Sequence, residues 1–155
     1  MSYLMQIIET EAQPVLSVKA TTSLREMPEL VGRVYGEIFR HILSQGEEPL
    51  GPAFIAYYGV DKMDMENLIV EIGFPVAREL PGKGEIQPRQ IPPGRKAMGY
   101  HKGAYGEIST VYEKLKSFIR EKGYERTGVV YEHYFNAPEQ IPESELLTKV
   151  EFLLK

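Results

Sequence analysis

The sequence predicts an α+β fold: two β-α-β-β units in tandem, forming one curved antiparallel sheet with two main helices packed on one face and a central groove. Three observations predict it. Two amphipathic helical stripes stand about half a chain apart. Each is preceded by one extended run and followed by two. A shift of 77 positions superposes nine identical residues without a gap. The 155 residues suit one domain over 1–155, with pseudo-repeats at about 1–80 and 85–155.

The elements follow in order. An extended run at 14–21 leads to a helix over 28–45, where Leu30, Val31, Val34, Tyr35, Ile38, Phe39, Ile42 and Leu43 make one stripe. Pro28 suits the first helical turn and Gly46 the stop. Strand-like runs follow at 52–58 and 67–74. Pro81, Gly82, Lys83 and Gly84 then form a turn-rich joint, and Pro88, Pro92, Pro93 and Gly94 interrupt the approach to the second unit, so a plain loop is expected there. The second unit repeats the order: a run at 95–101, a helix over 105–122 ended by Gly123, and runs at 128–135 and 145–153. At the offset of 77, Lys19 and Ala20 fall on Lys96 and Ala97, Val34 and Tyr35 on Val111 and Tyr112, and Ile42 on Ile119. Gly46 falls on Gly123, Glu48 on Glu125, Gly51 on Gly128 and Tyr57 on Tyr134. Two copies are too few for a solenoid, so both half-sheets should join into one.

Composition narrows the function. Eighteen basic against twenty-two acidic residues give a net charge of −4, which does not favour a nucleic-acid partner. There are no cysteines, so disulfides, thiolate metal sites and cysteine nucleophiles are excluded. His41, His101 and His133 lack metal-ligand spacing, and no metal or cofactor is expected. No run approaches a membrane span, and residues 1–11 do not read as a signal peptide. A cytoplasmic setting fits, as a monomer or homodimer. The glycines fit no phosphate-binding loop, and Gly-x-Ser-x-Gly is absent.

The chemistry concentrates at Glu132. Alternation puts it on one strand face with Val130, Tyr134 and Asn136, and its neighbours Tyr131 and Phe135 are aromatic too. A carboxylate so placed is desolvated unless paired. It suits holding a cation, accepting a hydrogen bond, or acid/base work. The plain alternative is a strand glutamate facing solvent or paired with Lys149. The repeat bears on this choice. The equivalent of Glu132 is Ile55, so the fold does not need a carboxylate there, whereas Tyr134 repeats Tyr57. Glu71 and Lys149 align if the second copy holds one extra residue, and both are expected at the surface, facing away from the helices.

The order of His101-Lys102-Gly103-Ala104-Tyr105, a helix, Gly123-Tyr124, Tyr131 to Pro138 with its Glu132-His133-Tyr134, and Leu146-Leu147-Thr148 resembles the GyrI-like small-molecule-binding superfamily. That group includes the effector-binding domains of AraC- and MerR-type regulators. Glu71-Ile72-Gly73-Phe74-Pro75-Val76 is the matching stretch of the first half. The resemblance implies a stand-alone effector-binding or sequestering domain that takes lipophilic, aromatic or cationic small molecules in the groove. Glu132 is then the anchor, with Tyr57, Tyr105 and Tyr134 as aromatic walls and Ile55 and Glu71 as further candidate ligand-binding residues. It also implies two alternatives. One is a hydrolase of cyclopropane-bearing genotoxic natural products, with Glu132 as acid/base and Tyr57 or Tyr105 orienting. The other is a protein-interaction module of the gyrase-inhibitor kind. Two departures from the family pattern are Lys149, where an acidic residue is usual, and Ala137, where an aspartate usually precedes the proline.

Overall fold

The computed structural model describes residues 4–137 and 140–155; Pro138 of the motif above lies outside the described residues. Eight antiparallel strands form one curled sheet in the order β1-β6-β8-β7-β3-β4-β2-β5. The strands are β1 (Met5–Thr10), β2 (Gln13–Thr22), β3 (Ala53–Tyr58), β4 (Leu68–Pro75), β5 (Gln87–Ile91), β6 (Gly94–Lys102), β7 (Arg126–Tyr134) and β8 (Leu147–Leu154). Two helices complete the fold, α1 (Met27–Ser44) and α2 (Ser109–Glu121). The order is symmetrical about the β7–β3 pair, which joins the two halves.

Six strands and both helices lie where the sequence places them, and two strands are additional. β1 was not anticipated, and β5 runs through the segment expected as plain loop. Each is a terminal strand of the sheet, and each docks on the opposite half: β1 on β6, β5 on β2. Pro88 obscured β5 in the sequence. Proline cannot donate to a ladder, but it is tolerated in an edge strand, whose outer side has no partner. The second helix also starts later than expected, because Tyr105–Glu107 form a separate 3₁₀ turn.

The ladders correct part of the repeat. Leu16 pairs with Phe74, and Ala97 pairs with Phe152. Leu16 therefore corresponds to Ala97, a spacing of 81 (97 − 16), and the Lys19/Lys96 and Ala20/Ala97 identities are not equivalent positions. The helices and β3/β7 do keep the spacing of 77: Phe54 pairs with Gly73 as Tyr131 pairs with Glu151.

Packing sets the groove. α1 buries Val34, Ile38 and Ile42 against Leu16, Val18, Val70 and Ile72 of β2 and β4. α2 buries Val111, Leu115 and Ile119 against Ala97, Val150 and Phe152 of β6 and β8. The helices thus sit over the outer strands of each half and leave β3 and β7 between them as a floor. The other face of the sheet carries its own apolar cluster of Val15, Phe54, Ala56, Ile91 and Tyr131.

Candidate functional site

Glu132 lies on that floor. It pairs with Ile55 across the β7–β3 ladder, on the face that meets the helices, and is 8% exposed. Both carboxylate oxygens are engaged. The Tyr134 hydroxyl donates to Oε1 at 2.7 Å, and the Tyr112 hydroxyl donates to Oε2 from α2. Two more tyrosines complete the surroundings. Tyr57 stands on β3, and Tyr35 on α1 donates its hydroxyl to the Phe54 carbonyl at 3.3 Å. Tyr105 is 37% exposed and sets its ring edge-on to that of Tyr134, with centroids 5.6 Å apart.

The tyrosines obey the pseudo-symmetry. Tyr35 corresponds to Tyr112 on the helices, and Tyr57 to Tyr134 on the floor. Glu132 against Ile55 breaks it. By its periodicity the sequence places Tyr35 and Tyr112 on the apolar stripes of the helices. The signal that could have placed them in the site was present, because both fall on the apolar stripe and both recur at the offset of Tyr57 and Tyr134.

Electrostatics follow from burial. Desolvation pushes the Glu132 carboxyl above the ordinary carboxylate range, while the two tyrosine donors and the nearby His101 and His133 pull it back only in part. Burial and the Glu132 charge also push Tyr57, Tyr112 and Tyr134 above the ordinary phenol value, and burial with the neighbouring tyrosines does the same to Tyr35. All four stay protonated at neutral pH, and Tyr35, Tyr112 and Tyr134 serve as donors. Among the described residues, Glu132 forms no ion pair with a lysine or arginine. The site is one acidic group inside a wall of neutral aromatic rings.

The remaining candidates fall elsewhere. Glu71 is not at the surface: it is 3% exposed on the opposite sheet face and accepts bonds from Ser17 Oγ at 2.8 Å and the Tyr58 hydroxyl at 2.6 Å. Its strand curls with the sheet, so a position facing away from the helices is enclosed rather than solvated. Lys149 faces that side as well, 3.6 Å from Glu151, and is no partner for Glu132. Two surface hollows, of about 360 and 600 Å³, lie beside α2 and between α1 and the 83–86 turn, and neither is lined by Glu132. Among the described residues no group of His, Asp and Glu is arranged to hold a metal ion. No helix among them is long and apolar enough to cross a membrane.

The opposite face carries a measurable titration. Glu151 accepts from His133 Nε2 at 2.6 Å, with Lys149 and Lys96 nearby. Burial alone would raise its carboxyl, but the His133 hydrogen bond, followed by the charge interactions with His133, Lys149 and Lys96, outweighs it and holds the group below the ordinary value of 4.5. A depressed carboxylate stabilises the fold above the unfolded value, and that contribution is lost as pH falls through the folded value. Chemical denaturation at stepped pH should therefore show stability dropping below about pH 4.5. In Glu151→Gln that drop should be shallower.

The chain matches the family described as GyrI-like small molecule binding domain over residues 5–155, and it belongs to that family. It is similar to the C-terminal domain of EcmrR, with a TM-score of 0.79 at 19% identity, covering 100% of this chain and 99% of that one. The EcmrR of an EcmrR–DNA complex aligns at a TM-score of 0.84 and 20% identity over 99% of this chain, which spans 57% of the EcmrR chain. SAV2435 bound to tetraphenylphosphonium aligns at 0.66 and 12% identity, covering 100% of this chain and 94% of that one. A hydrolase encoded by lin2189 from Listeria innocua aligns at 0.74 and 12% identity, covering 97% and 91%. At such identities these structures share the fold with this chain. No curated protein is detectably similar to it in sequence.

Proposed function

We propose that this member of the GyrI-like family binds lipophilic organic cations between its helices, with Glu132 as the charged anchor and Tyr35, Tyr57, Tyr112 and Tyr134 as the walls. One observation carries the reading: a buried carboxylate on the helix side of the sheet whose hydrogen-bond donors are neutral tyrosines and which, among the described residues, forms no ion pair with a lysine or arginine. Such a group is costly to bury, and a delocalised cation offsets that cost by charge attraction and by contact with ring faces. The tetraphenylphosphonium complex of SAV2435 supports this class of ligand for the fold. Glu71 is the weakest of the candidate residues, since the sheet separates it from this space.

The test is charge selectivity at constant shape. Tetraphenylphosphonium and tetraphenylborate are near-isosteric and opposite in charge. Calorimetric titration is expected to show binding of the cation and little or none of the anion. Equal affinity for both would remove the carboxylate from the account.

One observation favours a second reading, as a hydrolase. A carboxyl raised above its ordinary range by burial and joined to a tyrosine O–H is suited to acid/base work. Incubation with a cyclopropane-bearing alkylating natural product, followed by mass spectrometry, decides it: a water adduct forming above the buffer rate supports turnover, and its absence rejects it.

A further inference from the structure

Two buried polar atoms on the groove side of the sheet have no hydrogen-bond partner: His101 Nδ1 and Thr148 Oγ1. The residues are 2% and 0% exposed. An unpaired polar atom at such depth costs free energy, so two of them together call for an explanation. They are not scattered. His101 and Thr148 are direct cross-strand partners, and Thr148 is also the cross-strand partner of Tyr134, whose hydroxyl bonds Glu132. Alternation puts all of them on the face that carries Val150, Phe152 and Glu132.

The chemistry of the pair can be read from its other bonds. His101 Nε2 lies 2.7 Å from the Ala104 carbonyl, which only accepts, so Nε2 carries the hydrogen. In the neutral ring Nδ1 is then an acceptor. The Thr148 hydroxyl can donate. A single hydroxyl completes both: it donates to Nδ1 and accepts from Oγ1. An ammonium has no lone pair for Thr148, and a carboxylate would face the lone pair of Nδ1.

We propose that His101 Nδ1 and Thr148 Oγ1 form a subsite for one hydroxyl oxygen, a water in the free protein and a hydroxyl of the ligand in the complex. The inference rests on the groove reading above and extends it: the ligand is a lipophilic cation carrying a hydroxyl on one of its rings.

The test compares tetraphenylphosphonium with its three mono-hydroxyphenyl isomers by calorimetry. At least one isomer is expected to bind the native protein about three- to tenfold more tightly than the parent, the range of one net hydrogen bond. Thr148→Ser should keep the preference, and Thr148→Val should bring the ratio to about one. No preferred isomer, or a preference that survives in Thr148→Val, overturns the ligand assignment. If no phosphonium binds the native protein, the groove reading fails separately, and a crystal structure of the free protein decides the subsite. An ordered water within hydrogen-bonding distance of both atoms supports it, and a dry site overturns it.

Discussion

Glu132→Gln is expected to weaken tetraphenylphosphonium binding by roughly ten- to a hundredfold, read by calorimetry at neutral pH. The substitution removes charge while keeping shape. The amide oxygen can still accept from Tyr134, and the amide nitrogen can donate to the Tyr112 oxygen, so both contacts of the carboxylate persist in altered polarity. What disappears is the attraction between unlike charges. At about 4 Å and an effective dielectric near 20 this is about 4 kcal/mol before the cost of stripping water from the ligand. A residue of about 1.4 to 2.8 kcal/mol after that cost corresponds to the stated range. A neutral ligand of the same size should show no such loss. Unchanged cation affinity in the variant would show that the rings alone do the binding.

The same substitution should stabilise the free protein. Burial raises the Glu132 carboxyl, so the unfolded chain ionises first as pH increases. Stability is then greatest below the ordinary value of 4.5, falls as pH rises towards the folded value, and stays low above it. Glutamine does not titrate. At pH 7 the variant should be more stable by about 1 kcal/mol, a common size for relieving strain at a functional site, and the difference should shrink towards zero at pH 4. Opposite signs for binding and stability would mark Glu132 as a residue kept for function.

The fold was legible because its periodicities are strong. α1 and α2 carry clean stripes, and β3, β4, β7 and β8 are rich in branched and aromatic residues, so their type and order could be read directly. β1 and β5 escaped for physical reasons. A terminal strand is held by a ladder on one side only, so its sequence need not show a buried face, and Pro88 is allowed there for the same reason. The candidate site was half legible. The asymmetry with Ile55 points to Glu132, and recurrence points to Tyr57 and Tyr134, which the fold brings to one face. Tyr35 and Tyr112 were hidden because a tyrosine on an apolar stripe satisfies the packing pattern whichever way its hydroxyl points. Glu71 was misplaced because alternation gives a face but not its curvature. Here the curl of the sheet buries the side without helices.

The close approach of β2 and β4 rests on a glycine, and Gly73→Ala is expected to destabilise the protein by about 3 kcal/mol. A Cβ at Gly73 would meet the Leu16 carbonyl oxygen at 2.5 Å, Ser17 Cβ at 2.8 Å and Phe54 Cζ at 3.0 Å. The first is backbone and cannot swing aside, so β2 and β4 would have to separate. The clash would be felt next to Glu71, whose partner Ser17 is one of the crowded residues. The equivalent position in the other half is Glu151, which carries a full side chain there. The requirement is thus local to the close approach of Phe54, Leu16 and Gly73, and not a general demand of the fold. Phe54 is also the residue whose carbonyl accepts the Tyr35 hydroxyl, and its neighbour Ile55 pairs with Glu132. Displacing β3 should therefore loosen the groove as well as the fold. Urea denaturation should show the lost stability, and calorimetry on the folded fraction should show weaker tetraphenylphosphonium binding. A Gly73→Ala protein as stable as the native one would mean that β2 and β4 slide apart at no cost and that the close contact is not what shapes the sheet.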